Sequence, residues 1–205
     1  MINELTLLAC DTQWLRDGGH NGLEHARQNI EVALGAMNFV FPWAASRWTN
    51  NISRMDPNDE ELIRFYCRSA MPGTWGIVDN LSALSTNPKN IILDEIENYR
   101  RLNEIKKDFL YDVLSPEDDK DAAGIVFYSK DQKSAAVLLF RWDKQGLIDE
   151  QVMLPYLSKN DRYTIERIDT DKIEKASGRT LTEQGIRITL TPEQRSALCF
   201  LRANP

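Results

Sequence analysis

The stretch Asp11-Thr-Gln-Trp-Leu-Arg-Asp-Gly-Gly-His-Asn-Gly-Leu-Glu-His-Ala-Arg27 is the segment around which the chain is organised. A short apolar and aromatic run, 12–15, is followed by Asp17, by three glycines within five residues and by a segment of helical character. In parallel α/β enzymes, a strand that ends on an acid and opens into a glycine-rich loop presents a carboxylate where the strand ends converge. Asp17 is therefore the candidate catalytic residue. The alternative is that Asp17 caps the following helix or shapes the turn.

Composition defines the broad class of protein. The 205 residues are 42% hydrophobic and 27% charged, as in soluble globular proteins. The formal charge of -6 argues against nucleic acid or an anionic membrane as a partner. Cys10, Cys67 and Cys199 are odd in number and far apart, which is typical of reduced thiols. Because the sequence also offers no signal peptide or membrane-spanning run, we expect a cytoplasmic protein.

Residues 1–114 show apolar periodicities that alternate between strand and helix. Short, nearly all-apolar runs predict buried strands, and apolar positions three and four residues apart predict helices. The order strand, helix, strand, helix, strand, helix amounts to three βα units. The predicted strands are 12–15, 37–42 and 74–78, and the predicted helices are 22–34, 59–71 and 90–109.

The pattern changes at the acidic, proline-bearing segment 115–121, where we predict a domain boundary. Beyond it, strand-like runs separated by turn signals predict an antiparallel sandwich, with helix only around 182–184. The two predicted domains are thus 1–114 and 115–205. The predicted strands of the second domain are 124–129, 135–142, 150–157, 163–168, 186–190 and 197–202.

Several short motifs follow one another in a characteristic order. They are Trp14 to Asp17, Phe41-Pro42, the set Arg68, Ala70, Met71, Gly73 and Gly76, then Tyr99-Arg100, Arg162-Tyr163 and Ser177 to Gly185. In this order and spacing the chain resembles the C-terminal portion of glycoside hydrolase family 36, the α-galactosidase family. The resemblance implies the last strands of a (β/α)8 TIM barrel over 1–114, followed by a C-terminal antiparallel β-sandwich.

The same resemblance implies a function. The chain is expected to be the C-terminal part of a retaining α-galactosidase-like glycoside hydrolase, acting on oligosaccharides or galactosides with a terminal α-linked galactose, without a metal or organic cofactor. Asp17 would be its general acid/base. In the family the nucleophile lies on the fourth barrel strand, N-terminal to this sequence. The isolated chain is therefore expected to be inactive, and its partner to be the missing N-terminal barrel segment. The resemblance leaves the oligomeric state open, with a homo-oligomer as one alternative.

The chain departs from the family pattern near its candidate acid. Two glycines follow Asp17 where a second acid or amide is usual, and Arg47-Trp48 stands where many members have histidine. Asp11 is the rival acid, but it precedes the predicted strand and would lie at the wrong end of a barrel. His20 and His25 could in principle hold a metal. Their separation fits one helix face poorly, so a structural or solvent-facing role is the prediction.

The candidate substrate-binding residues are aromatic or acidic. Trp14, Trp43 and Trp48 lie at or just after predicted strand ends, where indole rings could stack on the apolar face of a pyranose. Packing in the core is the alternative for each ring. Asp79 follows the last predicted strand and could accept a bond from a sugar hydroxyl, or could belong to a helix cap.

Two other classes of function stay open at this stage. The first is a non-catalytic carbohydrate-binding or assembly module derived from the same scaffold, in which Asp17 would be dispensable. The second is a phosphate-binding α/β protein that uses Asp17-Gly-Gly. It is weaker because the glycine spacing fits neither phosphate-loop fingerprint.

Overall fold

The computed structural model of the protein describes residues 13–14, 22–37, 41–108, 110–114, 122–141, 146–170 and 172–204, with the backbone alone at positions 13, 14 and 43. The chain forms two compact units, Met1–Arg100 and Arg101–Pro205. The predicted boundary at Ser115 lies outside the described residues and stays a prediction.

In the first unit, parallel strands alternate with helices. The elements are β1 (Gln13–Trp14), α1 (Gly22–Ala36), β2 (Ala45–Asn50), α2 (Glu60–Ala70), β3 (Thr74–Val78) and α3 (Thr86–Lys106), whose last six residues belong to the second unit. The described strands form one sheet in the order β1-β2-β3, and all neighbours run parallel. The alternation of strands and helices agrees with the βα units expected from the sequence, whereas closure into an eight-stranded barrel stays a prediction.

The second strand is not where the sequence analysis placed it. Residues 38–40 of the predicted strand 37–42 lie outside the described residues, but Phe41 is 55% exposed and Pro42 begins a 3-10 helix that ends at Ala44. A proline lacks the N–H that a central strand must donate. The sheet instead uses Ala45–Asn50, a mostly polar segment whose residues are nevertheless largely buried.

The helix α2 begins and ends at residues that the sequence indicates. Asp59 caps it by accepting a hydrogen bond from the N–H of Leu62 at 3.0 Å. The chain then turns into β3 at Gly73, where a Cβ atom would come within 2.0 Å of the carbonyl oxygen of Ala45. Only glycine fits this close backbone approach between the turn and the start of β2.

A buried ion pair links α2 to α3 within the first unit. Nη2 of Arg68 lies 2.8 Å from Oε1 of Glu95, and the two side chains are 1% and 0% exposed. Arg68 also donates from Nε to both oxygens of Glu95 at 3.1 Å. Arg64, one turn earlier on α2, approaches the same carboxylate at 3.4 Å. Two guanidinium groups thus compensate a carboxylate that burial alone would strongly disfavour.

The second unit contains antiparallel sheets. The elements are β4 (Leu110–Leu114), β5 (Ala122–Tyr128), β6 (Ser134–Arg141), β7 (Ile148–Val152), β8 (Arg162–Arg167), β9 (Ile173–Ser177), α4 (Gly178–Glu183), β10 (Ile186–Leu190) and β11 (Ser196–Ala203). The described strands form a six-stranded sheet in the order β4-β5-β6-β11-β8-β9 and a two-stranded sheet of β7 and β10. The six runs predicted from the sequence are all present, β10 with the predicted ends and the others with shifted ends, and β4 and β9 are additional.

One hydrophobic core joins the two antiparallel sheets. It takes alternate residues of β5, β6, β8 and β11 from the large sheet and alternate residues of β7 and β10 from the small one, which is the pattern of a sandwich. Tyr163 anchors a corner of this core, where its hydroxyl donates to the carbonyl oxygen of Gln132 at 2.5 Å and accepts from the N–H of Ser158 at 3.0 Å. The arrangement is consistent with the predicted β-sandwich.

Glu95→Gln should lower the free energy of unfolding by about 3 kcal/mol, because it leaves Arg68 buried without its counter-charge. Urea denaturation of the 205-residue chain measures the loss. Glu97→Gln is the matched control, since Glu97 pairs with Arg100 on the exposed side of the same helix and should cost less than about 0.5 kcal/mol. Equal effects of the two changes would contradict a special role for the buried pair.

Candidate functional site

Only part of the site predicted from the sequence lies within the described residues. Asp17, its rival Asp11 and His20 lie outside the described residues. Trp14 pairs with Ser46 in the register between β1 and β2, and Trp43 lies in the 3-10 helix that precedes β2. Trp48, Asp79 and His25 lie within the described residues.

Asp79 connects the loops that follow two neighbouring strands. Its Oδ2 accepts from the N–H of Ser53 at 3.0 Å, and its Oδ1 accepts from the hydroxyl of Ser53 at 2.7 Å. Oδ1 also accepts from the N–H of Asn80 at 2.7 Å. Ser53 follows β2, and Asp79 directly follows β3. The carboxylate therefore holds together the carboxyl ends of two parallel strands, the edge at which α/β proteins bind ligands.

The electrostatics of Asp79 suit an acceptor. Partial burial acts to raise its pKa, but the hydrogen bonds from Ser53 and from the N–H groups of Asn80 and Ile52 outweigh burial and lower the pKa below the ordinary value. Asp79 is thus a carboxylate near neutral pH and has no proton to give. It can accept a bond from a hydroxyl, whereas general acid chemistry needs a raised pKa. The cap predicted nearby is made by Asn80, which accepts from the N–H of Ser82.

Trp48 and Arg47 occupy opposite faces of β2. Nε of Arg47 donates to Oδ1 of Asn29, on α1, at 3.0 Å, so Arg47 points toward that helix. Successive strand residues alternate between faces, which places Trp48 on the side of the sheet opposite to α1. Its ring lies across Gly76 of β3, where a Cβ atom would come within 2.6 Å of two ring carbons. The half-buried indole therefore has a fixed place near the end of β2, inside the strand rather than after it.

The polar face of β2 is tied to both neighbouring helices. Arg47 is 1% exposed, and its Nη2 also donates to Oδ1 of Asn29, at 2.5 Å. The Nδ2 group of Asn29 donates to the carbonyl oxygen of Trp48 at 3.1 Å and to Oγ of Ser69, on α2, at 3.2 Å. A structural role for Arg47 follows, since its charged group joins strand to helix.

His25 belongs to a buried hydrogen-bonded cluster with Asn50 and Tyr66. Its Nδ1 lies 2.6 Å from the hydroxyl oxygen of Tyr66 and 3.1 Å from Oδ1 of Asn50. The N–H of Asn50 donates to the Tyr66 oxygen at 2.9 Å. Burial raises the pKa of Tyr66, and the hydrogen bond from Asn50 only partly offsets this, so the phenol stays neutral. No local sequence pattern indicates this cluster, because its members lie on three different elements.

The geometry of this cluster favours the structural role predicted for His25. One ring nitrogen already has two polar neighbours, and the cluster joins the first turns of α1 to the end of β2 and the middle of α2. Within the described ranges, no group of three or more His, Cys, Asp or Glu side chains is placed to hold a metal ion. The same ranges contain no helix that is both long and apolar enough to span a membrane.

Comparison with solved structures identifies the class of protein that shares this fold. The chain matches α-galactosidases of glycoside hydrolase family 36, in their C-terminal portion, so the predicted resemblance is confirmed at the level of the fold. No family model and no curated protein matches the chain. All the identities below are under 20%, and a shared fold at such identity defines architecture rather than activity.

Three of these structures illustrate the likeness. The galactosidase domain of the α-galactosidase-sucrose kinase AgaSK has a TM-score of 0.71 and 19% identity, over 87% of this chain and 25% of that one. A variant of α-galactosidase AgaA from Geobacillus stearothermophilus, in complex with raffinose, has a TM-score of 0.72 and 18% identity, over 87% of this chain and 24% of that one. The α-galactosidase from Lactobacillus brevis has a TM-score of 0.72 and 14% identity, over 88% of this chain and 25% of that one. The chain thus spans about a quarter of the length of these enzymes.

Gly76→Ala should lower the free energy of unfolding by about 1 to 3 kcal/mol, because the new methyl group must displace the Trp48 ring. Gly35→Ala is the matched control, since a Cβ atom there meets nothing within 4 Å, and it should be neutral or slightly stabilising. Removing the ring in the double variant Gly76→Ala with Trp48→Ala should abolish most of the extra cost. A cycle of chemical denaturation measurements tests this, and additive costs would contradict the proposed contact.

Asp79→Asn should cost about 0.5 to 1 kcal/mol at pH 7, a small value because the pair with Ser53 is exposed to solvent. Since the folded pKa lies below the unfolded one, the stabilisation is complete above the unfolded pKa, near 4, and is lost as the pH falls through the folded pKa. The stability difference between the native chain and the variant should therefore shrink below about pH 4. A difference that stays constant down to pH 2 would refute this assignment.

Proposed function

We propose that this chain is the C-terminal part of an α-galactosidase-like retaining glycoside hydrolase that acts on terminal α-galactosides. The observation that supports the proposal is the likeness over 87% of the chain, which runs through both the parallel and the antiparallel unit. A likeness confined to one unit would be far less informative, because both sheet types recur in unrelated proteins.

The proposed architecture follows from the parallel sheet. Residues 1–114 supply the last strands of a (β/α)8 barrel, residues 115–205 form the C-terminal sandwich, and the other barrel strands come from a preceding segment. In such a barrel the catalytic groups lie at the carboxyl ends of the strands. Asp17 comes three residues after the end of β1, and Asp79 comes directly after β3. Both positions suit the catalytic face.

In the proposed mechanism, Asp17 is the general acid/base. It protonates the departing glycosidic oxygen while a carboxylate of the preceding segment attacks the anomeric carbon, and it then removes a proton from the water that releases galactose. In a retaining mechanism these two carboxyl groups lie about 5 to 5.5 Å apart. The isolated chain, which lacks the nucleophile, should be inactive. The chemistry calls for neither a metal nor an organic cofactor.

Trp48 and Asp79 are proposed to bind the sugar. Trp48 lies on the side of the sheet opposite to α1, which would be the inside of a closed barrel, and its fixed indole ring suits the apolar face of galactose. Asp79, ionised near neutral pH, suits a hydroxyl group. Trp14 and Trp43 remain sugar contacts proposed from the sequence. The cytoplasmic location and a homo-oligomeric assembly are likewise proposals from the sequence.

A chimera tests the proposal. This chain replaces the corresponding C-terminal quarter of the Geobacillus enzyme, and turnover of 4-nitrophenyl α-galactoside is measured. Asp17→Asn should reduce turnover by about 100-fold or more. Added azide should restore part of it and yield α-galactosyl azide, because azide needs no general base to attack the glycosyl intermediate.

Asp11→Asn is the matched control and should leave turnover unchanged, because this rival acid precedes β1. Wild-type turnover in the Asp17→Asn chimera would reject Asp17 as the acid/base. The 205-residue chain without the remainder of the barrel should show no turnover, and activity there would contradict the need for a nucleophile from outside the chain.

A further inference from the structure

A groove of about 450 Å³ lies in the second unit, beside Arg101 to Ile105 of α3 and the face of the six-stranded sheet opposite to the sandwich core. Its volume falls within the range of pockets that hold small ligands. None of its lining residues was a site candidate from the sequence. The lining residues that bear on its chemistry are Arg101, Ser134, Thr164, Glu166, Arg202 and Asn204.

The groove contains an ion pair between Arg101 and Glu166. Nη1 and Nη2 of Arg101 lie 3.2 and 2.5 Å from the two oxygens of Glu166, so the pair is bidentate. The guanidinium also lies 4.1 Å from the centre of the Phe200 ring, which fixes its plane. Each carboxylate oxygen can accept more than one hydrogen bond, and a guanidinium has further N–H groups. The pair thus offers adjacent donors and acceptors in one fixed plane.

Neutral polar side chains of the sheet lie along the same groove. Thr164 and Ser134 are both in register with Arg202, one on each neighbouring strand, so their side chains share one face of the sheet. The hydroxyl of Thr164 donates to Oδ1 of Asn204 at 2.7 Å, which places an amide at the end of the row. Hydroxyl, amide, carboxylate and guanidinium groups therefore lie along one groove.

The balance of charge in the groove disfavours an ionic ligand. The charged lining residues are Arg101, Arg202, Glu104 and Glu166, so their formal charges sum to zero. Glu166 pairs with Arg101 inside the groove, and Glu104 pairs with Lys107 outside it. An anion would meet two carboxylates, and a cation would meet two guanidinium groups. A ligand that carries many hydroxyl groups and no charge can use donors and acceptors at once.

We propose that this groove binds a small neutral saccharide, with neighbouring hydroxyl groups bonded to Arg101 and Glu166. The inference goes beyond the proposed glycosidase activity, because it uses residues of the antiparallel unit and does not involve Asp17 or Trp48. A shallow site formed by a few polar side chains should bind weakly, with a Kd of about 1 mM or higher.

Titration of the 205-residue chain, followed by amide chemical shifts in NMR spectra, tests the proposal. Methyl α-galactoside and melibiose are the probes, and inorganic phosphate is the charged comparison. Saturable shifts should appear at Thr164, Glu166 and Arg202 below about 50 mM saccharide. No saturable shift at these amides, or shifts with phosphate alone, would overturn the proposal.

Variants separate this groove from the proposed barrel site. Thr164→Val and Glu166→Gln should each weaken saccharide binding at least threefold, and the second variant serves if the first does not fold. Thr189→Val, which removes a hydroxyl from β10 outside the groove, is the matched control and should bind normally. Loss of the groove shifts in Trp48→Ala, with Thr164→Val and Glu166→Gln unaffected, would overturn the groove and leave the proposed function standing.

Discussion

The hydrogen bonds between Arg47 and Asn29 are the interaction on which the parallel unit depends. They bring a guanidinium that is 1% exposed onto an amide of α1, and the same amide holds the backbone of Trp48 and the hydroxyl of Ser69. A strand as polar as β2 could not be buried unless its polar groups found partners. Because strand residues alternate, directing Arg47 toward the helix also directs Trp48 to the opposite face.

Several charged and polar groups of this fold act as structural links, and each does so where an element ends or crosses another. Asp79 joins two loops, the cluster of His25, Asn50 and Tyr66 joins two helices to a strand end, and Arg68 with Glu95 joins α2 to α3. Such groups stabilise a fold only when their hydrogen bonds are complete, since an unsatisfied buried charge costs more than a lost apolar contact. These links hold the described strands of the parallel sheet to one another and to the helices beside them.

Elements with strong periodicity could be predicted from the sequence, and polar strands could not. The apolar stripe of α1, the Asp59 cap of α2 and the five residues of β3 all appear where local patterns indicate them. The strand β2 was not predicted because its buried polar side chains find their hydrogen-bond partners on helices that are distant in sequence. The strand β9 was not predicted because edge strands tolerate charged residues and an exposed side chain such as Ile173. Glu95 on α3 is 0% exposed, although no local pattern marks it as a buried residue.

By itself the sequence determined the alternation of strands and helices, the change to antiparallel strands and the family whose fold the chain shares, because these depend on local periodicity and on the order of short motifs. Only the tertiary structure decided which polar residues are buried, which face of β2 carries Trp48 and which atoms Asp79 binds. Those outcomes depend on hydrogen-bond partners that are distant in sequence, such as Asn29 for Arg47 and Ser53 for Asp79. Burial of a polar group depends on whether a partner is present, and local composition does not encode that.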